Sequence, residues 1–340
     1  MKELKYITMA QIIGCLLVIW GHSYPFVTDM PLVVLQGKTF IYLFHMPLFI
    51  FCSGYLFAFT KQIERKTFFE YVGQRAKKLL IPYFVLSLIG LLPKYLFSSV
   101  LNDTLHLDTL SLIRAFLVPR ENIWGHFWFL PMIFFLGIIA YLIEKYMLVK
   151  TNKTIGWGIV TLVLMAVSIF FKPTDSMGWF GINDLILYGW SYALGVSVFF
   201  LLGDLKESVR FKGWQTTIFC LVGGGISVLI SILGKEQDYQ RVLVALLMIS
   251  VVLIACVALD DIIRINRRSL IAQTYQIFIL SWPCQLIVEI ILERVLHLQW
   301  WIILPSVFCS GVIGPVLLIK AINHFERKTR THYLSLIIGK

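Results

Sequence analysis

The run Val242-Leu-Val-Ala-Leu-Leu-Met-Ile-Ser-Val-Val-Leu-Ile-Ala-Cys-Val-Ala-Leu259 contains no charge and is bounded by Arg241 and Asp260. As a helix it is about 27 Å long, close to the roughly 30 Å hydrocarbon core of a bilayer, so it reads as a membrane span. Apolar runs of the same kind recur on both sides. Bounded by charge and turn residues, they predict ten helices at about 7–24, 39–60, 79–101, 126–148, 155–171, 182–203, 215–233, 242–259, 270–292 and 300–320. Across 340 residues, 58% are hydrophobic and only 14% charged, where soluble chains carry roughly a quarter, and mean hydropathy is +0.80. A soluble globular enzyme is excluded. Ten spans with short loops use almost the whole length, so the expectation is one all-α polytopic domain, residues 1–340.

The first run resembles a signal-peptide core, yet Gly21-His22-Ser23-Tyr24-Pro25 offers no small-x-small cleavage site, and it is read as a retained span. The six cysteines lie in apolar runs without a C-x-x-C pair, which predicts neither a metal site nor a disulfide framework. The net charge of +11 finds its explanation in topology. With the N-terminus inside, only Lys38, Lys94, Arg114, Arg120, Lys172, Lys235, Arg241 and Arg294 fall on the outer side, leaving 22 of the 30 basic residues inside. Acids such as Asp103, Asp108, Glu121, Asp175, Glu236 and Asp238 collect in the same outer loops. Both termini are therefore expected in the cytoplasm, and nucleic acid is not an expected partner. The triple Gly223-Gly224-Gly225 lacks the Lys-Ser/Thr of a phosphate loop and reads as close helix packing.

Polar groups inside spans are costly and mark functional candidates. His22 stands near the outer end of the first span, and Gln11, eleven positions earlier, shares its face about 16 Å away along the axis. His45 reaches a comparable depth on the antiparallel second span, so two imidazoles are expected in the outer half. An imidazole titrates near neutrality and can take a proton from a hydroxyl and return it, as acyl transfer requires; equally, each histidine could bond a neighbouring helix. Arg75 and Lys78, at the inner mouth of the third span, suit phosphates or are ordinary cytoplasmic loop charge. In Trp124-Gly-His126-Phe-Trp128-Phe-Leu-Pro131, the tryptophans fit an interfacial belt, whereas His126 faces the compartment of His22. Glu289 is a possible partner for an imidazole or for Arg294, and Lys94 can snorkel outward.

The stretches IIGCLLVIWGH (12–22), FHMPLFIFCSGYLF (44–57), RAKKLLIPYF (75–84) and FWFLPMIF (127–134), in that order, resemble the acyltransferase-3 family of integral membrane acyltransferases. The segment TYQIFILSWP (274–283) resembles its late-helix segment, and the Gly-His ending is closest to the branch with fucose O-acetylase-like and intercellular-adhesin-like proteins. The resemblance implies that His22 is catalytic and that Arg75 and Lys78 form the paired basic motif. It also shows departures: Gln11 stands where a basic residue is usual, and Ser281 where many members have His.

These readings together predict a multi-pass protein of a cell membrane, the bacterial cytoplasmic membrane, among whose partners is membrane lipid. It would move an acyl group, acetyl foremost, from acyl-CoA such as acetyl-CoA to a hydroxyl of an extracytoplasmic or lipid-linked glycan. The expected catalytic residues are His22 and His45, and the expected substrate contacts are Gln11, Arg75, Lys78, His126, Trp128 and Glu289. No tightly bound cofactor is expected. A glycan transporter or flippase without transferase activity is the alternative, since polytopic proteins with buried histidines also do that, and a structural subunit whose histidines only join helices is a third.

Overall fold

The computed structural model describes residues 4–24, 30–96, 109–208, 213–234, 238–263 and 273–339. The side chain of Lys94, and Asp103, Asp108, Arg210, Lys212, Lys235, Glu236, Arg264, Arg267 and Arg268, lie outside the described residues, as do the expected span ends at 97–101 and 270–272. Among the described residues the regular structure is entirely helical. The helices are α1 (Lys5–Gly21), α2 (Leu32–Phe59), α3 (Gln62–Arg65), α4 (Phe68–Leu96), α5 (Thr109–Leu117), α6 (Phe129–Leu142), α7 (Lys153–Phe170), α8 (Ile182–Leu202), α9 (Leu205–Ser208), α10 (Gly213–Leu233), α11 (Asp238–Leu259), α12 (Thr274–Glu289), α13 (Trp300–Thr329) and α14 (Tyr333–Ile337). Two of them widen into a π turn at the C-terminal end, α6 through Ile143–Met147 and α12 through Ile290–Val295.

Each of the ten expected spans falls on a helix. Eight helices among the described residues are long and apolar enough to cross a membrane; the 17-residue α1 and the 29-residue α4 occupy the other two places. Several helices outrun the apolar run that predicts them. α2 begins at Leu32, α4 at Phe68, and α13 continues to Thr329. Backbone hydrogen bonding does not stop at a charge, and Glu, Lys, Arg and Gln are good helix formers. Arg75 and Lys78 therefore lie within α4, not at its start. The chain is an all-α polytopic membrane protein.

The chain forms two compact units, residues 1–59 with 191–321 and residues 60–190 with 322–340. In the first, α1 packs on α2, α11 and α12, and α10 packs on α11. Ile7, Ala10, Ile19, Leu48, Ile50 and Val244 are fully buried there. The buried residues of α10 are the small Thr216, Gly223 and Ser227, while Leu221, Val222 and Leu229 are exposed. A face of that kind suits lipid, where close helix approach through small residues replaces the hydrophobic effect. Of the glycine triple only Gly223 makes a close approach, since a Cβ there would lie 2.8 Å from Val251, whereas Gly224 and Gly225 face open space.

The N-terminal end of α1 is tied by a closed polar network. The Tyr6 hydroxyl donates to Asp204 Oδ1 at 3.0 Å, Tyr55 donates to the Gly203 carbonyl at 2.6 Å, and the two hydroxyls lie 2.9 Å apart. Beside it, Lys206 Nζ reaches Asp260 at 2.6 Å and Asp261 at 2.5 Å. Hydrogen bonds to these two carboxylates raise the ammonium's pKa above its ordinary value.

In the second unit α6 packs on α4, and α14 closes against α4. Tyr71 stacks on Tyr141 with ring centroids 5.1 Å apart, and the Tyr141 hydroxyl donates to the Lys66 carbonyl at 2.9 Å. Asn152 caps α7, its Oδ1 accepting from the Thr154 N–H at 2.9 Å. Lys153 then pairs with the buried Glu144 of the π turn at 2.7 Å.

Candidate functional site

His22 is the residue at which α1 ends, with φ −89° and ψ 1°. A helix C-terminus leaves carbonyls without intrahelical partners, and here side chains supply them. The Ile19 carbonyl accepts from Ser23 Oγ at 2.7 Å and from Gln285 Nε2 of α12 at 2.8 Å, and the Gly21 carbonyl accepts from the Tyr42 hydroxyl of α2 at 3.2 Å. Three helices thus converge on the residue before and the residue after His22. Its imidazole is half-buried and meets the Trp282 ring edge to face at 4.7 Å, with the Tyr42 ring at 6.2 Å.

His45 is buried one turn further along α2, and its ring centroid is 5.0 Å from that of Tyr42. Tyr42 is thus the link between the two histidines expected at matched depth. His45 Nδ1 lies 2.8 Å from the Ile41 carbonyl. A carbonyl only accepts, so Nδ1 carries the proton and neutral His45 keeps its Nε2 lone pair.

Beside this pair and the expected Glu289 lie Lys38 and Gln285, which the sequence does not single out as site residues. Lys38 sits over the Tyr24 ring at 5.1 Å and the Tyr42 ring at 6.0 Å. Glu289 is buried with Oε1 unbonded and lies one turn beyond Gln285 on α12. Ser281, Gln285 and Glu289 are all buried at spacings of four, so α12 turns a polar stripe inward. That stripe was the available signal. Ser281 itself only returns a hydrogen bond to the Phe278 carbonyl, at 2.9 Å. Gln11 is half-buried on α1.

The other four expected contacts belong to the second unit. Arg75 is half-buried on α4, its guanidinium donating to the Ile133 carbonyl and lying over the Tyr71 ring at 5.5 Å. Gly137 makes this possible, since a Cβ there would come within 2.4 Å of Arg75 Cζ. Arg75 Nε is buried without a hydrogen bond and so has a donor to spare. Lys78 is exposed. His126 is buried against Phe127 at 4.7 Å.

Trp128 is buried beneath Arg120, whose guanidinium stands 3.8 Å from its ring, and the Tyr188 ring is 5.4 Å away. Arg120 also holds the buried Asp184 through Nη2 at 2.6 Å and Nε at 3.0 Å. This fork geometry is open to Arg and not to Lys. The structure thus gives Trp128 a charged neighbour, Arg120, that is itself held by Asp184, 64 positions further along the chain, a pairing that local sequence does not reveal.

A family model described as an acyltransferase domain matches residues 4–320, a range that takes in all eight candidate site residues. No curated protein and no solved structure matches the chain. With a match over nearly its full length on an all-helical polytopic frame, the chain belongs to the acyltransferase-3 family and is a membrane acyltransferase.

Proposed function

We propose that the protein moves an acyl group, acetyl foremost, from cytoplasmic acyl-CoA to a hydroxyl of an extracytoplasmic or lipid-linked glycan. The observation that supports this best is the setting of His22. It is a half-buried imidazole with its ring set by Trp282 and its backbone anchored on both sides, in a chain of the acyltransferase-3 family. As general base, His22 takes the hydroxyl proton while the oxygen attacks the thioester carbonyl. The C–S bond then breaks, the new ester C–O bond remains, and the proton passes to the coenzyme A thiolate. Net, alcohol and thioester become ester and thiol.

His45 keeps one ring nitrogen as an acceptor and serves the same cluster through Tyr42. Glu289 and Gln11 offer polar contacts along α12 and α1. In the second unit, Arg75 and Lys78 carry the charge suited to donor phosphates, and His126 and Trp128 are assigned to the acceptor. Acyl-CoA enters as a substrate, and the reaction needs no resident cofactor. The multi-pass chain is assigned to the bacterial cytoplasmic membrane.

The test uses purified protein in detergent with radiolabelled acetyl-CoA and a panel of glycans, with methyl glucoside as a small surrogate. Label should appear as an alkali-labile ester, with one coenzyme A thiol freed per ester. His22→Ala should lower the rate by about 100-fold or more, the usual contribution of positioned proton transfer. Wild-type turnover by well-folded His22→Ala protein would remove His22 as the base. Glycan movement across vesicles without ester formation would favour a transporter instead.

A further inference from the structure

We propose that Gln285 is a positioning residue for His22, its side-chain amide fixing from α12 the backbone that carries the imidazole. The inference rests on the reading of His22 as the general base.

The primary amide has two N–H groups and both are used. Nε2 donates to the Ile19 carbonyl at 2.8 Å and to Ser23 Oγ at 2.9 Å, and Ser23 Oγ in turn donates to the same Ile19 carbonyl at 2.7 Å. Three groups thus close a ring of hydrogen bonds that begins one turn before His22 and ends on the residue after it. None of them is open to water: Ile19 and Ser23 are 0% exposed and Gln285 2%.

The amide's orientation follows from the same contacts. Turning it over would set its carbonyl oxygen against that of Ile19, acceptor against acceptor. In the observed orientation Gln285 Oε1 is buried with no hydrogen bond, an unfavourable state for an acceptor. The donor half therefore decides how this side chain lies.

Its path is also prepared. A Cβ at Gly311 of α13 would come within 2.7 Å of Gln285 Cγ and 2.8 Å of Cδ, so that glycine leaves the space the side chain fills. One turn earlier on α12, Trp282 meets the His22 ring at 4.7 Å. A single helix therefore sets both the backbone of His22 and the plane of its ring. A hydroxyl must sit within hydrogen-bond reach of the base, and a shift of about 1 Å can cost on the order of 100-fold in rate.

The test is Gln285→Met, which keeps length and volume, removes both donors and buries no charge. With acetyl-CoA and methyl glucoside, kcat should fall at least about tenfold while KM for acetyl-CoA stays within about twofold. A kcat within twofold of wild type, or a loss confined to KM, overturns the proposal. If Gln285→Met does not yield monodisperse protein, Ser23→Ala decides in its place. That variant opens the ring on the far side of His22 and should lower kcat at constant KM; an unchanged kcat overturns the proposal. His22→Ala runs alongside. Full turnover there sinks the base assignment, whereas an inactive His22→Ala with a fully active Gln285→Met sinks only the role of Gln285.

Discussion

Gly54 of α2 lies so close to Tyr192 of α8 that a Cβ on it would stand 2.0 Å from the Tyr192 carbonyl oxygen. The approach is reciprocal, because a Cβ on Gly195 would stand 2.2 Å from the Phe51 carbonyl oxygen. Two helix backbones thus touch through a glycine from each, the packing mode that membrane helices favour. This also gives a physical meaning to the Ser53-Gly54 pair in the stretch from Phe44 to Phe57. It fixes how α2, which carries Tyr42 and His45, is held.

Gly54→Ala should therefore destabilise the protein by about 3 kcal/mol, because the opposing atom is backbone and cannot rotate away. Gly225→Ala, exposed and with nothing within 4 Å, should gain up to about 1 kcal/mol from helix propensity. Thermal unfolding in one detergent, followed for both variants, checks the contrast. Equal effects would contradict the packing account.

Arg120 and Asp184 should respond asymmetrically to truncation. The Asp184 side chain is 3% exposed and that of Arg120 49%. Arg120→Ala strands a carboxylate away from water and should cost about 2–4 kcal/mol, the range for a broken buried pair reduced for the half-exposed partner. Asp184→Ala leaves a cation that still reaches solvent and still lies over Trp128, and should cost about 1 kcal/mol. Melting temperatures of the two variants measure the difference, and the reverse order would be inconsistent with the burial.

What the sequence makes legible follows from which interactions are local. An apolar run such as Val242–Leu259 is its own evidence, because a lipid-facing helix satisfies its backbone internally and its length is set by the bilayer. Helix ends are less legible. The apolar run that begins at residue 79 says nothing about Phe68 to Lys78, where good helix formers extend the hydrogen-bond ladder beyond the apolar core. His22 was legible from its place at the end of α1 and from family resemblance. Its anchor was not, because Gln285 and Ile19 are 266 positions apart and only packing brings them together. The π turns after Leu142 and Glu289 leave no pattern in the apolar spacing at all.

Orientation is open to labelling. The division of basic residues predicts that single cysteines at Asp103 and Lys235 react with an impermeant thiol reagent added outside intact cells. One at Arg210 should react only after permeabilisation. These labels need a background from which the six native cysteines have been removed, Cys309 in particular being exposed. Labelling of the Arg210 site in intact cells would invert the topology.

The donor side makes the last test. On the topology read from basic residues, Arg75 and Lys78 lie toward the cytoplasm and His22 toward the opposite face, so the expectation is that acyl-CoA is taken from inside. Arg75 is committed in part, because one nitrogen holds the Ile133 carbonyl while Nε is buried without a hydrogen bond. Its guanidinium also occupies the space that Gly137 leaves open. Replacing Arg75 and Lys78 together by Gln should weaken coenzyme A binding by on the order of 100-fold, two charge-assisted contacts to phosphate being lost. Gly137→Ala should weaken it in the same direction without removing a charge, by pushing the guanidinium from its seat. Equilibrium binding of coenzyme A measures both, and unchanged affinity in the double variant would release these residues from the donor role. In sealed vesicles of known orientation, acetyl-CoA supplied only to the cytoplasmic face should sustain ester formation. Use from the outer face alone would rule out transfer across the bilayer while leaving the chemistry at His22 intact.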